Sequence, residues 1–234
     1  MQNDAPSRRV LLLFDIDGTL ITSGGAGERA LCEAMQDRFG VPEDLKGITL
    51  AGATDALIAR LMLEKNGIEA TPENCTALLD AYLKRLAGRM SLHQGRLLPG
   101  IVELLARLKQ EPSCVLALLT GNLVRGAEIK LTHYGVWDFF EFGAFADDHH
   151  DRNELGHFAR SRATEAHGID FPARAVCVIG DTPRDIECGK VIGARTVAIA
   201  TGNYSQEDLA AHQPDYLFAD LSDTEAVVAA LLDV

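Results

Sequence analysis

The chain has 234 residues, enough for a core domain with a smaller companion, and 47% of them are hydrophobic, as a folded globular protein requires. A net charge of -12, spread along the sequence, excludes nucleic acid and anionic membrane as expected partners and obliges any anionic ligand to find local positive charge. No apolar run nears the roughly 20 residues that span a bilayer, the run after the polar start is too short for a signal peptide, and five cysteines without CxxC pairing read as reduced thiols; the expected location is the cytoplasm.

In chain order, the first apolar run, residues 10–14, reads as a buried strand. It is followed by three amphipathic helical patterns, over 28–39, 55–65 and 72–90, with no strand among them. Asn66-Gly67 stops the second, and Thr71 with Pro72 starts the third. Gly24, Gly25 and Gly27 at the entry to this segment suit a hinge or a plain flexible loop. Strand-like runs then return at 115–119, 139–145, 175–179, 196–200 and 216–218, alternating with helical patterns at 101–108, 126–134, 153–167 and 183–192. Strands separated by helices of this length form βαβ units, so the expected fold is α/β, a Rossmann-like doubly wound parallel sheet with an inserted all-helical segment.

The first strand ends in Asp15-Ile16-Asp17-Gly18-Thr19 and a later one in Gly180-Asp181-Thr182-Pro183-Arg184-Asp185. Carboxylates beside a low-dielectric core are costly unless a cation or a phosphate-handling site gives them a role. Alternation along a strand lets Asp15 and Asp17 face one cavity, and ligands of open parallel sheets collect outside the carboxyl ends of the strands. Gly18 allows a sharp turn, which Thr19 can fix by a side-chain hydrogen bond. An EF-hand loop also begins Asp-x-Asp but wants Gly at its sixth position and Glu at its twelfth, where this chain has Leu20 and Ala26.

The two motifs together, in this order, make the chain resemble the haloacid dehalogenase-like hydrolase superfamily, in particular its phosphoglycolate phosphatase and β-phosphoglucomutase-like branch with a helical cap. The resemblance implies a core of residues 1–20 and 97–234 and a cap of residues 21–96. It implies that Asp15 is a nucleophile forming an aspartyl-phosphate, Asp17 the general acid and base, and Thr120 the phosphate-binding hydroxyl, with Gly121 and Asn122 adding donors. Asp15, the Asp17 carbonyl and Asp181 would hold Mg²⁺, and Asp185 would do so directly or through water. The family usually places a Lys as its basic element, where this sequence offers Arg152, a bidentate phosphate partner; Lys130 is the alternative, with a solvated helix face as its bland reading. Asp147-Asp148-His149-His150-Asp151 reads as a polar loop at the rim, since adjacent residues do not converge readily on one ion.

The expected activity is therefore Mg²⁺-dependent phosphatase action on a small phosphorylated metabolite. A phosphomutase of the β-phosphoglucomutase type is the alternative, and a non-catalytic binding protein on the same fold a third reading. Thr54, Asp55 and Arg60 stand where relatives often present specificity residues, but capping and packing explain them as well. Monomer and dimer are equally compatible with the pattern.

Overall fold

The computed structural model describes residues 9–233, so the reading of the polar start falls, for residues 1–8, outside the described residues. Six strands, β1 (Val10–Phe14), β4 (Cys114–Leu119), β5 (Phe142–Ala144), β6 (Val176–Gly180), β7 (Arg195–Ile199) and β8 (Tyr216–Phe218), pair in parallel in the order β5-β4-β1-β6-β7-β8. The chain builds outward from β1 to β4 and β5, then returns to the other side of β1 to lay down β6, β7 and β8. That reversal makes the carboxyl ends of β1, β4 and β6 the switch-point crevice.

β1 is buried on both faces, which explains its unbroken apolar run rather than an alternating one. Val10, Leu12 and Phe14 join a core with α4 (Ile101–Lys109), α5 (Val124–His133) and α9 (Thr224–Leu232). Leu11 and Leu13 point the other way, into a core with α6 (Arg152–His167) and α7 (Pro183–Val191). Burying each such side chain contributes roughly 1.5–3 kcal/mol, so the strand is held by both layers at once. The short α8 (Gln206–Ala210) covers the β7 and β8 side through Leu209.

The helical segment folds as expected into α1 (Ala26–Phe39), α2 (Asp55–Lys65) and α3 (Pro72–Met90), which share a separate apolar cluster built on Met35, Met62, Leu63, Leu78, Tyr82 and Leu86. Thr71 caps α3, its hydroxyl accepting from the Asn74 N–H at 3.2 Å. Three features escape pattern reading. Two-residue strands β2 (Ile21–Thr22) and β3 (Arg96–Leu97) pair antiparallel and bind the two chain crossings side by side; they are too short to show a period. The expected strand at 139–145 shrinks to β5, because Trp137–Phe139 makes a 3-10 turn first. Helices α8 and α9 come after the last helical pattern recognised from sequence, at 183–192. Among the described residues, no helix is long and apolar enough to cross a membrane.

The helical segment closes onto the sheet through the loop before α2. Thr54 donates its hydroxyl to the His150 carbonyl at 2.7 Å, and the Asp55 N–H donates to the Gly121 carbonyl at 2.7 Å. The Asp55 carboxylate accepts the Leu123 N–H at 2.8 Å. Gly121 permits this approach: a Cβ there would lie 2.1 Å from the Ala53 carbonyl oxygen. Asp55 is thus a docking residue, whereas Arg60 stays near Glu64 on an exposed face.

Burial, with Asp17 and Asp147 adding to it, pushes the Asp55 carboxyl up to about 6 against the opposing Lys130 charge and Leu123 N–H. The folded chain then keeps a proton that the unfolded chain releases near pH ~4, so Asp55 costs stability as pH rises from about 4 to about 6. Asp55→Asn keeps an oxygen for Leu123 and cannot ionise. Its stability relative to wild type should rise by on the order of 3 kcal/mol between pH ~4 and ~7. Urea denaturation across that range reads the difference, and a flat difference contradicts the assignment.

Candidate active site

Four loops at the carboxyl end of the sheet supply the site. The β1 ladder runs on through the Asp15 N–H, which donates to the Ile179 carbonyl at 2.9 Å, and the chain then turns at Gly18, whose φ of 89° suits a residue without Cβ. A Cβ on Gly18 would also lie 2.3 Å from Asp181 Oδ2, so the turn packs directly on the β6 loop. Backbone bonds fix the turn, with Thr19, Leu20 and Ile21 N–H groups all donating to the Ile16 carbonyl. The Thr19 hydroxyl therefore does not serve the turn. It donates to Asp181 Oδ1 at 3.1 Å and orients that carboxylate.

Asp15, Asp181 and Asp185 are all buried, and one oxygen from each lies within 4.8 Å of the others. Burial, reinforced by the charges of Asp185 and Asp15, pushes the Asp181 carboxyl well above the usual carboxylate range. Burial likewise raises Asp15, against the attraction of Arg152. Three buried carboxylates presented as hard oxygen donors fit a divalent cation that takes few protein ligands. Asp185 has a structural task too: its Oδ2 accepts from the Thr182 N–H at 3.0 Å and hydroxyl at 2.7 Å, closing a capping box on α7, while Oδ1 pairs with Arg152.

Arg152, at the first turn of α6, is 5% exposed and reaches Asp15 Oδ1 at 2.9 Å and Asp185 with the same terminal nitrogen. Burial opposes its charge, but these two carboxylates outweigh burial and raise it further. Its buried Nε has no hydrogen-bond partner among the described residues.

Lys130 requires a correction: it is 4% exposed, so the solvated-face reading fails. Its ammonium donates to Asp17 Oδ2 at 2.6 Å and to Asn122 Oδ1 at 2.6 Å. Burial would lower this group, but the charges of Asp17 and Asp55 raise it. The signal was in the sequence, since Lys130 shares the buried face of α5 with Gly126, Ala127 and Leu131. Arg152 and Lys130 thus enter the same site from opposite sides, one on Asp15 and one on Asp17.

Thr120 is fully buried after β4, and Asn122 Nδ2 donates to its hydroxyl at 2.9 Å and to Asp17 Oδ2 at 2.9 Å. The Asn122 N–H is directed at Thr120 Oγ1, 3.3 Å away, while Gly121 uses its carbonyl to receive Asp55. The Asp147–Asp151 loop is structural: Asp147 accepts the Val124 N–H, Asp148 pairs with Arg162, and the His149 and His150 rings stack 4.5 Å apart.

These groups face a cavity of about 310 Å3 between sheet and helical segment, lined by Asp15, Asp17, Thr120, Asn122, Lys130, Arg152 and Asp181; Asp185 lies behind its floor. Pattern reading missed the cavity's other wall, including Glu28 and Tyr82, because no motif marks residues that become neighbours only through packing.

Residues 155–224 match the HAD-hydrolase-like family model. The chain is 30% identical over 205 residues to the N-acetylmuramic acid 6-phosphate phosphatase of Pseudomonas aeruginosa, covering 86% of each protein. It is 27% identical over 229 residues to the "Probable phosphatase IndB" of Dickeya dadantii, covering 95% of this chain and 94% of that one. The crystal structure of CbbY from Rhodobacter sphaeroides in complex with phosphate superposes with a TM-score of 0.73 at 19% identity, over 92% of this chain and 96% of that one, which extends the likeness to the fold. Full-length similarity to phosphatases, the shared fold and a cluster of buried carboxylates at the strand ends agree: the chain belongs to the haloacid dehalogenase-like hydrolase family, as one of its phosphatases.

Proposed function

We propose that the enzyme hydrolyses a small phosphate monoester with Mg²⁺, through an aspartyl-phosphate on Asp15. The observation that carries this reading is the convergence of Asp15, Asp17, Asp181, Thr120, Lys130 and Arg152 on one cavity. An Asp15 oxygen attacks phosphorus, the bond to the ester oxygen breaks, and the leaving oxygen takes its electron pair and a proton from Asp17. Water then attacks the phosphorylated Asp15, giving its proton to Asp17, and the bond from phosphorus to Asp15 breaks to release inorganic phosphate.

Each neighbour has a physical task in this scheme. Arg152 favours ionised Asp15 in a site where burial disfavours it. An ammonium has three N–H donors; Lys130 spends two on Asp17 and Asn122, leaving one for a phosphoryl oxygen. Thr120 and Asn122 offer a hydroxyl and an amide to the same group. Bound at Asp15, Asp181 and Asp185 with the Asp17 carbonyl, Mg²⁺ would neutralise phosphoryl charge. Residues 21–96 act as the cap that shuts the cavity against water.

Turnover should fall by about 10⁴-fold or more in Asp15→Asn and by about 10²–10⁴-fold in Asp17→Asn. Phosphate release from 4-nitrophenyl phosphate measures both, and an active Asp15→Asn enzyme rules out the nucleophile. Lys130→Met should cost about 10²-fold in kcat/KM through the lost electrostatic contact, while Lys130→Met activity near wild type would leave Arg152 as the working cation.

Metal binding should also register without turnover. Mg²⁺ at about a hundred times its Kd stabilises by roughly 2.7 kcal/mol, a rise of about 5–10 °C in Tm for a chain of this size. Asp181→Asn removes a carboxyl that folding holds against ionisation, so it should melt higher than wild type without metal and respond little to Mg²⁺. An equal Mg²⁺ response in both proteins places the ion elsewhere.

A further inference from the structure

We propose that the cavity accepts the phosphate ester of an uncharged, hydroxyl-bearing leaving group and turns away esters whose leaving group carries a second anionic charge, with Glu28 as the discriminating residue. The inference rests on the phosphatase reading above. Among the described residues that line the cavity, Lys130 and Arg152 are the only cations, and both lie on the sheet side. Each is already bound to carboxylates, Lys130 to Asp17 and Arg152 to Asp15 and Asp185. The wall that would meet the leaving group comes from the helical segment: Ser23, Glu28, Leu31, Leu50, Ile58 and Tyr82.

That wall contains a carboxylate, two potential hydroxyl partners and apolar carbon. Glu28 stands in the first turn of α1, where the helix N-terminus favours a negative charge, and it forms no ion pair among the described residues. Its helical position accounts for its residue type, and its place on the cavity wall gives that charge a second consequence. Tyr82 is 1% exposed, its phenol raised by burial and by Asp55 and therefore neutral, and the hydroxyl makes no hydrogen bond to another described residue. It can exchange hydrogen bonds with a substrate hydroxyl. A carboxylate on the leaving group would lose hydration here, meet no free cation and face Glu28 as well as the phosphoryl charge.

The test uses the full chain with Mg²⁺ and two esters of nearly equal size, 2-hydroxyethyl phosphate and 2-phosphoglycolate, which differ by a hydroxymethyl against a carboxylate. Wild type should favour the neutral ester by at least about tenfold in kcat/KM, the effect of one uncompensated like-charge contact in a partly screened site. Glu28→Gln should narrow that ratio severalfold by raising turnover of phosphoglycolate, and Glu28→Lys should narrow it further. Glu28 is exposed, so both variants should fold, and melting curves check this. A preference for phosphoglycolate in wild type, turnover of 4-nitrophenyl phosphate without turnover of 2-hydroxyethyl phosphate, or a ratio unmoved by both substitutions overturns the inference. Loss of all turnover, 4-nitrophenyl phosphate included, brings down the phosphatase reading itself.

Discussion

The structure depends on keeping several carboxylates at the ends of two buried strands without letting their repulsion unfold the sheet. Asp15, Asp181 and Asp185 are buried, and one oxygen from each lies within 4.8 Å of the others. Burial and the neighbouring charges each favour the neutral forms of Asp15 and Asp181, and Arg152 is the cation that most directly opposes them. The arrangement is tolerable because Asp185 is also tied to the first turn of α7 and Asp181 to the Thr19 hydroxyl. The same unfavourable energy makes the site receptive to a divalent cation, since binding relieves what folding has imposed.

A second charge system sits beside the first. Asp17, Lys130 and Asn122 form a closed set of hydrogen bonds, joined to Thr120 through the Asn122 amide. Because the networks lie on opposite sides of the Asp-x-Asp pair, the two aspartates experience different surroundings. Asp15 is 5% exposed and answers to Arg152, whereas the Asp17 side chain is 39% exposed and answers to Lys130. Separate environments are what allow two identical side chains to take separate chemical roles.

The helical segment is bound to this chemistry by more than apolar contact. Thr54 and Asp55 attach the loop before α2 to the backbone around His150, Gly121 and Leu123, beside the phosphate-binding candidates Thr120 and Asn122. Opening this contact would disturb the surroundings of Lys130, whose charge is supported partly by Asp55. The helical segment and the site's electrostatics are therefore linked through one buried carboxyl, and the cavity wall with Glu28 and Tyr82 belongs to the same group of helices.

By itself the sequence determined the parallel sheet, the helical insertion and the carboxylate motifs, because strand burial, helix period and turn residues are local properties that survive without knowledge of the fold. Asp15, Asp17 and Asp181 stood out for that reason, as charges just where an apolar strand stops, and Asp185 stood out as part of the same motif as Asp181. Tertiary structure alone decided that the inward-facing Lys130 meets Asp17, that Thr19 serves Asp181, and that Asp55 fastens the helices to the sheet. It also decided which helix residues face the cavity. Those facts depend on residues far apart in the chain, Thr19 with Asp181 or Asp17 with Lys130, whose meeting is set by how the layers pack. A periodic pattern says that a face is buried, but the partner across the gap determines whether a charge there is a liability or part of a site.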